Sequence, residues 1–344
     1  MQDDLVGTTL PHTSLLLTDV INSGSFATVY HAVNTLTKVP YAVKALEKTG
    51  LTKSQSDGLW KEIGIMKRLS NENVPNIVKL EKVVETSEWI FMVLEWCEVD
   101  LYDAITQHTL PQHTLLPIFH ALCTTLCRLH SLSIYHRDIK PENILLTSGS
   151  RRVKLADFGL STIYPISNDM GCGSTRYMAP ECLPGNTQPY DCAKADAWSL
   201  GIVLVNLVSG KNPWYEADMS DALYSAYIEG QSVLRETFGF SEEFERVIKS
   251  ILDPNPITRS SVADIWPRVK SVKRFYDTVE PIASVVASPK AIPTSPIPSQ
   301  SPDTFSKLFT SSPPRYSKFT MHDSGFESEE VYNDVFGMAA LAIY

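Results

Sequence analysis

His136-Arg137-Asp138-Ile139-Lys140-Pro141-Glu142-Asn143 runs into the apolar triplet Ile144-Leu145-Leu146, and Asp157-Phe158-Gly159 follows a little later. Alone, His-Arg-Asp is usually a salt bridge in a loop and Asp-Phe-Gly usually a turn; together and in this order they carry weight. Upstream of them the chain reads as strands. Ser14–Asn22, Thr28–Asn34 and Val39–Ala45 are rich in Val, Leu and Tyr and are separated by Gly or polar turns. Asp57–Leu69 then places Leu59, Ile63, Met66 and Leu69 at helical spacing, and strand-like runs return at Val78–Val84 and Trp89–Leu94. After Asp100 the pattern turns helical, most clearly over Leu115–His130 and Ala195–Ser209. Strands first and helices later predict an α+β arrangement in two lobes, with a cleft between them. No internal repeat is visible.

The 344 residues are 43% hydrophobic, enough apolar surface for a large core, which excludes a wholly disordered chain. Thirty Lys plus Arg against 39 Asp plus Glu leave a formal charge of −9, so no basic field is available to grip nucleic acid or an anionic membrane, and neither is expected as a partner. Cys97, Cys123, Cys127, Cys172, Cys182 and Cys192 form no Cys-x-x-Cys pair and read as reduced thiols of a cytoplasmic or nuclear protein. Cys123 and Cys127 share a helix face, where small buried side chains are the simpler reading than a redox pair. The start, Met1-Gln2-Asp3-Asp4, is acidic and the longest apolar run, around Leu200–Val208, contains Asn206; no signal peptide and no membrane span are expected. Residues 1–13 read as an N-terminal extension and 14–276 as the folded domain, with lobes at about 14–95 and 98–276. Composition changes near residue 280. Residues 281–344 hold eight of the 22 prolines and eleven serines, with apolar residues too scattered to offset the entropy of ordering the backbone, and read as a disordered Ser/Pro-rich regulatory tail.

The motifs resemble those of the eukaryotic protein kinase family, serine/threonine type, over about residues 15–275. The resemblance implies a bilobal kinase-like fold with a small β-rich N-lobe and a larger helical C-lobe. It also implies transfer of the ATP γ-phosphate to Ser or Thr hydroxyls of protein substrates, with Mg²⁺, or Mn²⁺ in its place. Such chemistry leaves a protein little covalent work, so its tasks are alignment and charge neutralisation. By resemblance Asp138 is the catalytic base and Lys140 is aimed at the γ-phosphate. Asn143 and Asp157 are hard oxygen ligands for the metal. Tyr41-Ala42-Val43-Lys44 resembles the strand whose lysine clamps the α- and β-phosphates, and Glu62 is its expected ion-pair partner. Met66, Leu80, Phe158 and His136 would stack into a hydrophobic column.

The glycine-rich loop corresponds to Asn22-Ser23-Gly24-Ser25-Phe26-Ala27-Thr28-Val29, which keeps only the middle glycine; Asn tolerates left-handed backbone and Ala is the smallest substitute for the third. Val29, Ala42 and Leu145 would sandwich adenine, with Ile21 completing the set. Val93-Leu94-Glu95-Trp96-Cys97 resembles the hinge: Leu94 guards the back pocket, the Glu95 and Cys97 backbones bond adenine, and Asp100 reaches the ribose. Gly171–Glu181 resembles the substrate-docking loop; Glu181 would pair with Arg259, and Asp196 would anchor the catalytic-loop backbone.

Lys140 together with Ser174, followed by Thr175, is the serine/threonine pattern. Glu142 and Asp100 would attract Arg before the target residue, and Arg176 would oppose a very basic peptide. The usual activating phosphoacceptor place is filled by Met170, with Asp169 beside it, so Asp169 is expected to pair with Arg137 instead of a phosphate. Ser199–Leu207 with Gly210-Lys211-Asn212-Pro213-Trp214 resembles a fungal branch of kinases that respond to nutrients and restrain meiosis. In the tail, Ser-Pro pairs at Ser288, Ser295, Ser301 and Ser312, the degradation-signal-like Asp323–Ser328, and Val331, Val335 and Met338 are candidate points for regulators that bind there. A monomer is expected. The competing class is a pseudokinase that recruits partners without phosphoryl transfer.

Overall fold

Alternation of apolar side chains along the first five strands decides the upper half of the molecule. The computed structural model describes residues 5–24, 27–147 and 152–277. Strands β1 (Leu15–Ser23), β2 (Thr28–Asn34), β3 (Pro40–Glu47), β4 (Leu80–Glu85) and β5 (Trp89–Glu95) form an antiparallel sheet in the order β1-β2-β3-β5-β4. On one face Leu17, Tyr30, Ala32, Val43, Ala45, Phe91 and Val93 pack together. The intervening Leu46, Ile90 and Met92 turn to the other face, against Leu59, Ile63, Met66 and Leu69 of helix α1 (Lys53–Asn71). That helix begins four residues before the periodic stretch. Thr52 accepts from the Gln55 N–H while the Gln55 side chain accepts from the Thr52 N–H, a capping box that sets the start at Lys53.

Residues 7–10 belong to this lobe. The Gly7 N–H donates to Leu17 O and the Leu17 N–H to Thr8 O, so the segment pairs with β1, and Leu10 is only 2% exposed among the outer-face residues. Leu10→Ala is therefore expected to lower stability by about 2–3 kcal/mol, read as a shift in the urea midpoint at constant slope.

Below the sheet come β6 (Val99–Asp100), α2 (Leu101–Thr106), α3 (Leu115–Ser131), β7 (Ile144–Thr147), β8 (Arg152–Leu155), β9 (Ile166–Ser167), β10 (Tyr190–Asp191), α4 (Cys192–Ser209), α5 (Ala222–Ile228), α6 (Val233–Phe238), α7 (Glu242–Ile251) and α8 (Val262–Ser271). α4 is long and apolar enough to cross a membrane by length and composition, yet every residue from Ala195 to Leu207 is buried and the helix is the axis of the lower lobe. At Gly201 an added Cβ would lie 2.6 Å from Ile251 and 2.8 Å from Leu252, so the glycine lets α7 approach α4. Within the lower lobe β6, β7 and β8 form a small antiparallel sheet, and β9 pairs with β10. The tail, with its Ser-Pro pairs, the Asp323–Ser328 segment and the Val331–Met338 face, lies outside the described residues.

Candidate active site

Because Val43 and Ala45 turn to the outer face, Lys44 between them is directed inward, toward α1. Its Nζ lies 2.8 and 3.0 Å from the two carboxylate oxygens of Glu62 and 3.5 Å from Asp157 Oδ1. Burial works against charge on this ammonium, but Glu62 and Asp157 outweigh it and hold the Lys44 pKa above the ordinary lysine value. Burial pushes the Glu62 carboxyl up, and Lys44 draws it back only in part. For Asp157 the balance falls the other way: burial raises its pKa, while Lys44, His136 and the Gly159 N–H together bring it below the usual carboxylate range. Asp157 is left-handed at φ 60°, a conformation Asp tolerates better than most residues.

The catalytic-loop backbone is held from beneath by Asp196 on α4. Its Oδ2 accepts from the His136 N–H at 2.9 Å and its Oδ1 from the Arg137 N–H at 2.8 Å, which pins Arg137 at φ 68°. His130 Nε2 sits 2.8 Å from Asp196 Oδ2. Burial opposes ionisation of Asp196, but the His130 hydrogen bond, the nearby histidines and the Arg137 N–H hold its carboxyl below the ordinary range. His136 donates through Nε2 to Ala156 O and accepts the Asp138 N–H at Nδ1, which fixes its tautomer. Its ring meets Phe158 edge-on at 5.0 Å, and Met66, Leu80, Phe158 and His136 are all buried.

Both oxygens of Asp138 are engaged. Oδ1 accepts from the Ser174 N–H (3.0 Å) and hydroxyl (2.9 Å), and Oδ2 from Asn143 Nδ2 (3.0 Å) with Lys140 Nζ at 2.8 Å. Lys140 also donates to Ser174 Oγ at 2.8 Å, so the lysine bridges the loop and the activation segment. Asn143 Nδ2 donates in addition to Asp138 O, and these two acceptors orient the amide so that its Oδ1 points away from Asp138. Gly173 permits the contact: at φ 110° an added Cβ would stand 2.6 Å from Arg137 O. Thr175 heads an exposed short turn and is not drawn into this group.

Arg137 Nη2 donates to Asp169 Oδ2 at 3.0 Å; the guanidinium is buried and Asp169 is 70% exposed in its side chain. Arg259 grips Glu181 with both Nη atoms, at 2.5 and 2.8 Å, and donates further to Asp253 O and Lys194 O. Its guanidinium lies 4.9 Å from the centre of the Trp198 ring.

Val29, Ala42, Leu94 and Leu145 are half buried, an apolar face left partly open between the lobes. Ile21 sits at an irregularity in β1 and is exposed. The Gly24 N–H donates to Ala27 O, and a Cβ at Gly24 would meet only ordinary contact. Neither Asn22 nor Ala27 has positive φ, so the two missing glycines do not strain the backbone, and the left-handed tolerance of Asn is not used. Ser25 and Phe26 lie outside the described residues. Asp100 caps α2, accepting the Asp103 N–H at 2.8 Å. Glu142 is exposed, and Arg176 lies over the Tyr215 ring at 4.9 Å. All six cysteines are unpaired, and burial raises the Cys172 thiol.

Two contributors escaped the motif reading. His130 closes α3 in an unremarkable Leu-His-Ser run, and its bond to Asp196 joins residues 66 positions apart. Lys154 pairs with hinge Glu95 at 2.8 Å, and only the β7–β8 register brings it there.

An ammonium between two carboxylates, together with a third carboxylate held by a lysine and an asparagine, suits an anionic ligand bound with a hard cation. Among the described residues no cluster of three or more His, Cys, Asp or Glu could hold a metal by itself. Asp157 and the outward Asn143 Oδ1 match a cation that takes its remaining ligands from phosphate and water. The family model for the protein kinase domain matches residues 17–268, and the chain belongs to that family. It is 35% identical over 300 residues to a negative regulator of sexual conjugation and meiosis from Schizosaccharomyces pombe, covering 80% of this chain and 63% of the relative. It is 35% identical over 253 residues to CBL-interacting protein kinase 2 of Oryza sativa subsp. japonica, covering 72% and 55%. CBL-interacting serine/threonine-protein kinase 10 of Arabidopsis thaliana is 33% identical over 253 residues, covering 72% and 51%. The chain thus spans no more than 63% of the length of these relatives.

Proposed function

We propose that this chain is a signalling protein serine/threonine kinase that transfers the γ-phosphate of ATP to Ser or Thr hydroxyls of protein substrates. The observation that carries the reading is the closed Lys44–Glu62 ion pair with Asp157 beside the same ammonium. Lys44, oriented by Glu62, holds the α- and β-phosphates. The half-buried face of Val29, Ala42, Leu94 and Leu145 receives the adenine. Asp157 and Asn143 would hold Mg²⁺, which when bound neutralises phosphate charge. Asp138 accepts the proton of the substrate hydroxyl, and Lys140 supplies positive charge next to it. Glu142 favours basic residues before the target.

Radiolabel transfer from γ-labelled ATP to a mixed Ser/Thr and Tyr peptide pool tests the reading. Label on Ser and Thr that is abolished by EDTA supports it. Intact ATP binding with no incorporation would favour a scaffold.

Asp169 stands where an activating phosphate would otherwise neutralise Arg137, so phosphatase-treated protein is expected to retain activity. Asp169→Asn removes an exposed partner worth about 1 kcal/mol, a roughly fivefold loss. A dead phosphatase-treated enzyme, restored by phosphorylation at Ser167 or nearby, would overturn the assignment.

A further inference from the structure

Adenine recognition requires a slot of fixed height, and its two walls come from different lobes. The roof residue Ala42 lies on β3, paired with Leu94 of β5, and the floor residue Leu145 lies on β7. Directly opposed residues of an antiparallel pair share a face, so Lys154 on β8, opposite Leu145, projects on the floor's own side. From there its ammonium reaches Glu95, the last residue of β5, at 2.8 Å. Glu95 is itself fixed. Its N–H donates to Lys79 O at 2.9 Å, and its Oε2 accepts the Lys79 N–H at 3.3 Å, tying it to the segment that leads into β4.

We propose that Lys154 is a positioning residue for the nucleotide: its ion pair with Glu95 is a strut that ties the slot's floor to the strand adjoining its roof and sets the gap between them. The inference rests on the nucleotide reading above and adds a residue to it. Both partners are partly sheltered, with side chains 22% and 29% exposed, so the pair is screened less than a surface pair. Burial, with Glu95 adding to it, pushes the neighbouring Cys97 thiol up to about 12, while Lys154 works the other way, which places the pair against the hinge. A slot held at the right height before binding loses less freedom when the ligand enters, so the strut acts on nucleotide affinity rather than on the chemical step.

The test uses the full chain and four proteins: wild type, Lys154→Met, Glu95→Gln and the exchanged pair Lys154→Glu/Glu95→Lys. KM for ATP, kcat and the calorimetric Kd for ADP with Mg²⁺ are measured for each. Both single variants should raise KM and Kd about three- to tenfold with kcat within about twofold, and the exchanged pair should recover part of the loss. Opposite effects of the two single variants would mean that their charges act on the phosphates through space, which overturns the strut. So would single variants indistinguishable from a nucleotide-binding wild type. A wild type that binds no ADP defeats the nucleotide reading itself, a different result from either.

Discussion

Asp138→Asn should lower kcat about a thousandfold, within the range for loss of a general base, while KM for ATP stays within about threefold. The substitution keeps shape and removes the proposed proton acceptor. It also places an amide where the carboxylate now accepts from Ser174, Asn143 and Lys140, so one donor of that group loses its partner. The Lys44–Glu62–Asp157 group is not touched, which is why nucleotide affinity should survive. Steady-state kinetics on a Ser peptide with a thermal-melt control decide it. A fall of less than about tenfold would remove Asp138 from proton transfer and leave it a structural bridge.

Glu181→Ala should be the most damaging single change to stability, about 3–5 kcal/mol. Arg259 is fully buried and its guanidinium finds its negative partner in Glu181. Removing that carboxylate leaves a desolvated cation held by the carbonyls of Asp253, Lys194 and Pro254 and by the face of Trp198. A loss of this size takes a large share of the stability of an ordinary domain, so the variant should populate unfolded protein at modest urea concentration. A loss below about 1 kcal/mol would show that solvent reaches the pair and screens it.

The residues proposed for phosphate chemistry were legible as a group because that chemistry restricts the choice of side chain: a base, a lysine, hard oxygen ligands and a carboxylate to orient the lysine. Lys44–Glu62, Asp138 with Asn143, Asp196 beneath the loop and Glu181–Arg259 come together in space as residue type and order suggested. Legibility failed where position depends on register or on distant packing. Leu10 looked like part of an extension because its burial depends on a sheet face assembled from residues as distant as Val93. Thr52 and Gln55 did carry a local signal, the capping box, which apolar periodicity starting at Leu59 overshadowed. The Lys154–Glu95 pair had no local signal, since it spans 59 residues. Nor do the positive φ angles of Arg137 and Asp157 follow from residue type; Asp196 imposes the first from α4.

A crystal structure with Mg²⁺ and a non-hydrolysable ATP analogue bears on all of this at once. The expected result has the triphosphate between Lys44 and Asp157, the metal on Asp157 and Asn143, and the γ-phosphate nearest Asp138. An analogue absent at saturating concentration, or bound with those side chains turned away from its phosphates, is the result that rules the reading out.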